Sequence, residues 1–393
     1  MMKSMIKNAQ LILPDRIEKG GLLLEDDKIC EIYFGDTPNI LDAKVIDAEG
    51  NYVSPGFIDM HTHGAGGADF MDGTTEAFVT ACRTHLEHGT TTILPTTLSA
   101  GFHEMYSVVD SFRKAREILG KAPYMPGLHF EGPYFSMEQR GAQDPKFIKD
   151  PDKKEYSEII EYAKGDIKRW SIAPELNGAM EMGDYLHQHG ILPSIGHSNA
   201  EYAHVKEAMN HHYTHITHLY SGMSTITRRS GFRYLGVIES AYALEDLTVE
   251  VIADGCHIPP ELLHMVYRLK GTNKTCMITD SLRCTGQNVT ESITGSLENG
   301  QRIIIEDGVA KLPDRSAFAG SIATTDRLVR TAYKLAGIPL VDSIKMMTIT
   351  PAKILNIDNE RGSIEKGKIA DLVIFNDNID IKYVICSGKV VKA

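Results

Sequence analysis

Pro55-Gly56-Phe57-Ile58-Asp59-Met60-His61-Thr62-His63-Gly64 is an apolar, β-like run that ends in two imidazoles one residue apart. Side chains two apart along a strand face the same way, so His61 and His63 can grip one ion from a single strand end. Alone, a His-x-His is weak, because ordinary surface histidines produce it as well. Here the pattern recurs. Later β-like runs end at His129-Phe130-Glu131, at His197, at Thr217-His218 and at Asp280. Metal-binding and acid/base side chains at successive strand ends, across more than half the chain, point to one metal centre at the open mouth of a parallel barrel.

The segments between these runs support that reading. Candidate strands are Val53–His61, Thr91–Leu98, Pro126–Glu131, Lys168–Pro174, Ile191–His197, Thr214–Leu219, Thr248–Ala253 and Thr275–Asp280. Helical spacing of apolar residues marks Glu76–His88, Phe102–Leu119, Ala179–His189, Glu201–His211 and Pro260–Leu269 between them. Eight strands alternating with helices predict an α/β fold, a (β/α)8 TIM-like barrel over 53–354. Both ends of the chain alternate as short strands instead, with Glu25-Asp26-Asp27-Lys28 as a hairpin turn. Neither end buries enough to fold alone, so 1–52 and 355–393 are expected to pair into one small β-sandwich. A polar, Gly-rich insertion at 286–316, with a turn at Asp307-Gly308, is expected to shape the rim of the site.

Bulk properties narrow the function. With a net charge of -11, neither nucleic acid nor an anionic membrane is expected as a main partner. Six scattered cysteines with no Cys-x-x-Cys suit free thiols in a reducing compartment. No secretory signal and no apolar run long enough to span a bilayer is seen, so a cytoplasmic protein is expected. Other histidines read as ordinary. His85 and His88 are expected to face solvent from a helix, as are His187, His189, His204, His211 and His212 in or beside helices. His215 is expected to point away from His218, and His129 to be a hydrogen-bond partner of the centre rather than a ligand. Gly64-x-Gly66-Gly67 lacks the spacing of a dinucleotide loop and reads as glycines that let the backbone pass close to a ligand.

These motifs carry a family resemblance. Pro55 to Gly64 resembles the first-strand signature of the amidohydrolase superfamily, and Gly362-Ser363-Ile364-Glu365-Lys366-Gly367-Lys368-Ile369-Ala370-Asp371-Leu372-Val373 its C-terminal sandwich segment. Five further motifs are similar to those of the N-acetylglucosamine-6-phosphate deacetylases within it. They are His129-Phe130-Glu131-Gly132-Pro133, Gly196-His197-Ser198-Asn199-Ala200, Thr217-His218-Leu219-Tyr220, Asp254-Gly255-Cys256-His257 and Thr279-Asp280-Ser281. The resemblance implies hydrolysis of the 2-acetamido group of a phosphorylated hexosamine, with another epimer such as N-acetylgalactosamine 6-phosphate as the alternative. It implies that Glu131, His197 and His218 hold a principal divalent ion and that His61 and His63, with Glu131 bridging, hold a second. One or two ions per subunit are thus expected, and nitrogen and carboxylate donors suit Zn, Fe, Mn or Co. It also implies phosphate contacts from Arg229 and His257, the latter reaching the active site of the neighbouring subunit of a homodimer. The backbone amides of Ser221 and Gly222 would meet the sugar, and Phe318-Ala319-Gly320-Ser321 would line the pocket. Two departures stand out. Ser221-Gly222 replaces the family's usual Asn-Ala, and Gln143 stands where many members have histidine.

Amides are poor electrophiles and amines poor leaving groups, so the reaction needs help at both ends. A divalent ion lowers the pKa of a bound water from 15.7 towards ~7, which supplies hydroxide as nucleophile. Asp280 is expected to accept the water's proton and return it to the departing nitrogen. A helix N-cap is the competing explanation for an Asp-Ser pair at a turn. Rival chemistries on the same barrel are a cyclic-amide hydrolase, disfavoured by Glu131 where that type carries a lysine, and a metal-free scaffold, disfavoured by the complete ligand set.

Overall fold

Strands buried on both faces read as near-continuous apolar runs, and eight of them close into a barrel in the computed structural model, which describes residues 2–393. They are β1 (Phe57–Thr62), β2 (Thr90–Pro95), β3 (Leu128–Glu131), β4 (Ile167–Ile172), β5 (Leu192–Ile195), β6 (His215–Ile216), β7 (Thr248–Ile252) and β8 (Thr275–Ile278). Strands β3 to β8 pair in sequence order, all parallel, and β1 pairs with β2. Parallel bridges Thr92–Tyr124 and Thr96–His129 join β2 to the β3 side. The ring closes where the Asp280 N–H donates to the His61 carbonyl (2.9 Å) and the His63 N–H to the Ser281 carbonyl (2.9 Å). This is the (β/α)8 barrel expected from the sequence.

The expected strand 53–61 is two strands. Tyr52–Pro55 pairs antiparallel with Leu372–Phe375 and parallel with Gln10 and Leu11, whereas Phe57 opens the barrel. The chain changes sheets at Gly56, where a Cβ would lie 2.0 Å from the Thr91 hydroxyl, so only glycine passes there. Eight strands from both termini, Lys3–Ile12 through Tyr52–Pro55 and Leu372–Phe375 through Lys389–Lys392, make one continuous sheet. Leu11, Leu22, Val53, Leu372, Ile374 and Ile385 are fully buried in its core.

Outside the barrel, Thr75–Glu87 begins at Thr74, whose hydroxyl accepts from the Ala77 N–H, and buries Phe78, Cys82 and Leu86. Phe102–Leu119 packs Val108, Val109 and Phe112 inward on the same apolar spacing. Five α-helices were not anticipated: Lys153–Ala163, Val237–Ala243, Thr325–Arg330, Leu340–Met347 and Ile349–Ile354. The first is capped by the Asp152 carboxylate, which accepts from Lys154 and Glu155. The insertion forms a four-stranded antiparallel sheet, Glu291–Thr294, Gln301–Glu306, Val309–Lys311 and Phe318–Gly320. Among the described residues no helix is long and apolar enough to cross a membrane.

Candidate metal centre and active site

The C-terminal mouth of the barrel holds a cavity of about 340 Å³. His63 lines it just past the end of β1 and Glu131 at the end of β3, with His61 fully buried beside them at the end of β1. His197, His218 and Asp280 lie just beyond β5, β6 and β8, and all three adopt left-handed backbone (φ +45°, +25° and +48°). Such a conformation costs about 1–2 kcal/mol per residue and persists only where its surroundings hold it. Here it ends each strand and turns the side chain onto the barrel axis.

Glu131 is the hub. Its Oε1 lies 3.0 Å from His218 Nε2, 3.2 Å from His197 Nε2 and 3.5 Å from His61 Nε2. Its Oε2 is 3.4 Å from His63 Nε2, and Asp280 Oδ1 lies 3.0 Å from His63 Nε2 and 3.4 Å from His61 Nε2. Two groups of donors result, His61-His63-Asp280 and Glu131-His197-His218.

The outward nitrogens decide the tautomers. His61 Nδ1 is 2.7 Å from Glu250 Oε1, His63 Nδ1 3.3 Å from the Thr96 carbonyl, and His197 Nδ1 2.8 Å from the Gln139 carbonyl. Each neighbour only accepts, so each Nδ1 carries the proton and each Nε2 presents a lone pair to the centre. His197 and His218 bring their Nε2 atoms within 3.2 Å of each other. Lone pairs and carboxylates crowded together in this way require a cation. Charge says the same. Burial opposes ionisation of Glu131 and Asp280, yet the imidazoles around them hold both carboxyls below their usual range. Burial would lower His61, but Glu250, Glu131 and Asp280 raise it to about 10. A divalent ion answers that demand and releases the proton. The residues therefore fit one or two divalent ions.

The remaining candidates divide. Gln143 donates to Glu131 Oε2 (2.7 Å) while its own carbonyl accepts from the Ser99 N–H (2.8 Å), so it stands in the wall of the cavity. Ser221 and Gly222 also line it. His257 lines the cavity of its own chain. Asp254 accepts from its backbone N–H (2.8 Å) and its Nδ1 (2.9 Å), which folds the ring back against Phe318. Arg229 lies outside this cavity, on the hairpin Thr227–Tyr234. Its side chain is 54% exposed, paired with Glu201 (2.6 Å) and laid over the Tyr234 ring. Phe318, Ala319 and Gly320 line the pocket, whereas Ser321 is buried with its hydroxyl turned to the Thr279 carbonyl.

Several readings change. His85 is buried, with Nε2 within 3.0–3.2 Å of Thr62 Oγ1, Ser281 Oγ and the Gly64 carbonyl. The signal was available, since His85 continues the Phe78-Cys82 face of its helix. His129 bonds Ser171 (2.7 Å) and meets His61 edge-on, so its contact with the centre is by ring packing. His215 is buried against Thr248 and Glu250. Gly66 and Gly67 donate their N–H groups to the carbonyls of Thr285 and Arg283. Glu250 and Arg169 were missed altogether, although a charge inside an apolar strand was the available sign.

Known proteins are similar to this chain in sequence and fold. Residues 52–391 match the amidohydrolase family. The N-acetylglucosamine-6-phosphate deacetylase of Haemophilus influenzae is 35% identical over 352 residues, 88% of each chain, and that of Bacillus subtilis 31% identical over 98% of this chain and 96% of its own. The crystal structure of N-acetylglucosamine-6-phosphate deacetylase from Pasteurella multocida superposes over both whole chains with a TM-score of 0.91 at 27% identity. An aspartate-to-alanine variant of the Mycobacterium smegmatis enzyme, solved with N-acetyl-D-glucosamine-6-phosphate, gives 0.90 at 26% over the same coverage. With the fold and nearly the whole length in agreement, this chain belongs to the amidohydrolase family.

Proposed function

We propose that this protein is a metal-dependent deacetylase that hydrolyses N-acetylglucosamine 6-phosphate to glucosamine 6-phosphate and acetate. The observation that carries the reading is the convergence of four imidazole nitrogens and two carboxylates on one cavity, in a chain similar end to end to enzymes of that name. Glu131, His197 and His218 would hold one divalent ion, and His61 and His63, with Glu131 shared, a second, drawn from Zn, Fe, Mn or Co. When bound, such an ion supplies Lewis acidity, acidifying water and polarising the acetyl carbonyl.

The chain supplies the rest. Asp280, ionised beside His63, accepts a proton as water oxygen bonds to the acetyl carbon. It returns that proton to the nitrogen as the C–N bond breaks, leaving acetate and the free amine. Gln143 holds Glu131 from the cavity wall, and the Ser221 and Gly222 amides would orient the sugar. His257, backed by Asp254, would meet the phosphate from within the same subunit. Arg229, exposed on its hairpin beside Ile226 (52% exposed) and Phe232 (71%), would then be the phosphate ligand supplied across a homodimer. Six free cysteines suit a cytoplasmic setting.

The galactosamine epimer is the weaker fit. The Escherichia coli N-acetylgalactosamine-6-phosphate deacetylase is 24% identical over 88% of this chain. Acetate release from both 6-phosphates and both free sugars, with metal content measured on the same preparation, tests the reading. The glucosamine 6-phosphate derivative is expected to be the best substrate, and acetate release that survives complete removal of metal would overturn the proposal.

A further inference from the structure

Beneath the two donor groups lies a buried ion pair that touches no substrate. Glu250, on β7, is fully buried, and its two oxygens are divided between different tasks. Oε1 accepts from His61 Nδ1 (2.7 Å) and from the backbone N–H of His218 (3.1 Å). Oε2 accepts from Arg169 Nη1 (2.5 Å). One carboxylate thus holds a member of each donor group, the ring of His61 and the left-handed backbone of His218. Arg169, also fully buried, extends the tie. It donates to the Met60 carbonyl (3.3 Å), Ser194 Oγ (3.0 Å) and Thr217 Oγ1 (2.8 Å). Met60 and Thr217 immediately precede His61 and His218.

His215, Glu250 and Cys276 also gather here as a third cluster of donor atoms. It is not a third ion site, because the Arg169 guanidinium already supplies the cation at Glu250 Oε2. We infer that Glu250, held by Arg169, is a positioning residue that sets the affinity of both donor groups for their ions at once. It fixes the His61 tautomer and the direction of the His218 side chain. This rests on the metal-dependent reading above.

A buried pair of this kind is not needed for stability. Well-packed apolar residues of similar volume often replace one without loss, whereas removing a single partner leaves a buried charge. That difference separates positioning from structure. The paired swap Arg169→Met/Glu250→Leu removes both charges together, leaving the His61 Nδ1–H and the His218 N–H unpaired, and is expected to melt cooperatively at a lower temperature than the wild type. Titrated with Co2+ after metal removal, it should bind about 10–100-fold more weakly, the effect usual for lost partners of metal ligands, and its Co2+ absorption spectrum should differ. Wild-type Co2+ affinity and spectrum in the folded swap would overturn the inference. Glu250→Asp keeps the charge opposite Arg169 while drawing the carboxylate back, and it provides the same readout if the swap does not fold. Unchanged affinity and spectrum there also overturn the inference. A wild-type protein that bound no divalent ion would remove the deacetylase reading itself, which is a distinguishable failure.

Discussion

Gly222→Ala asks whether the ring of His197 is held from behind. The residue has φ +56°, and a Cβ there would lie 2.8 Å from both the Gln139 carbonyl oxygen and His197 Nδ1. Those two atoms are hydrogen-bonded to each other at 2.8 Å, so the new methyl presses on the bond that fixes the His197 tautomer. To reach ordinary contact, each must retreat by about 0.6 Å. Separation of that size takes the bond to the limit of useful geometry and forfeits about 1 kcal/mol. Left-handed backbone at a residue with a Cβ adds about 1–2 kcal/mol, so the total is about 2–3 kcal/mol. Two measurements check it, thermal unfolding of the metal-free protein and calorimetric titration with Co2+. A lower melting temperature and Co2+ binding about 10–100-fold weaker at one site are expected. If the variant melts and binds Co2+ like the wild type, the reasoning is refuted, and alanine, the residue that the family resemblance makes usual here, is accommodated by a small backbone shift.

Asp280→Asn should keep its metal while kcat falls by about 10²–10⁴, the usual worth of a positioned acid/base group; near-normal turnover removes Asp280 from the proton path. Arg229→Ala should raise KM for the 6-phosphate far more than for the free acetamido sugar, and equal effects on both would show that it does not read phosphate. Chelation should lower the melting temperature, since an ion at a hundred times its Kd contributes about 2.7 kcal/mol; an unchanged melt argues against a tightly held ion. Burial lowers the His85 pKa to about 4, so unfolded chains bind this proton before folded ones. Its contribution to stability is present above pH 6.5 and declines as pH falls towards 4, by about 2 kcal/mol between pH 7 and pH 5. His85→Gln should lose that part of the slope in denaturant unfolding, and an unchanged slope would show that His85 is protonated in the fold.

Much of the barrel was legible because its strands announce themselves chemically. An apolar run that stops at a histidine or carboxylate is a strand reaching the mouth, and this located His61, Glu131, His197, His218 and Asp280. What escaped depended on partners remote in sequence. Glu250 looks like any glutamate between Val249 and Val251 until the barrel closes and brings it against His61 of β1, 189 residues away. No local pattern says that His257 folds over the cavity of its own chain while Arg229 stands outside it. Asp254, three residues before His257, decides it. The division of the first strand at Gly56 was hidden for a related reason, since both halves are equally apolar and only the contact with Thr91 separates them.

Tyr52–Pro55 takes one neighbour from Lys3–Ile12 and the other from Leu372–Phe375. The segment that leads into the metal-bearing strand is therefore flanked by one strand made before it and by another made only after the whole barrel. Until residues 372–375 have been made, its outer edge has no mate, and an unpaired edge invites association between chains. Premature termination before residue 372 would release a barrel whose entrance strand is open on one side, and such products are expected to collect in aggregates while full-length chains do not.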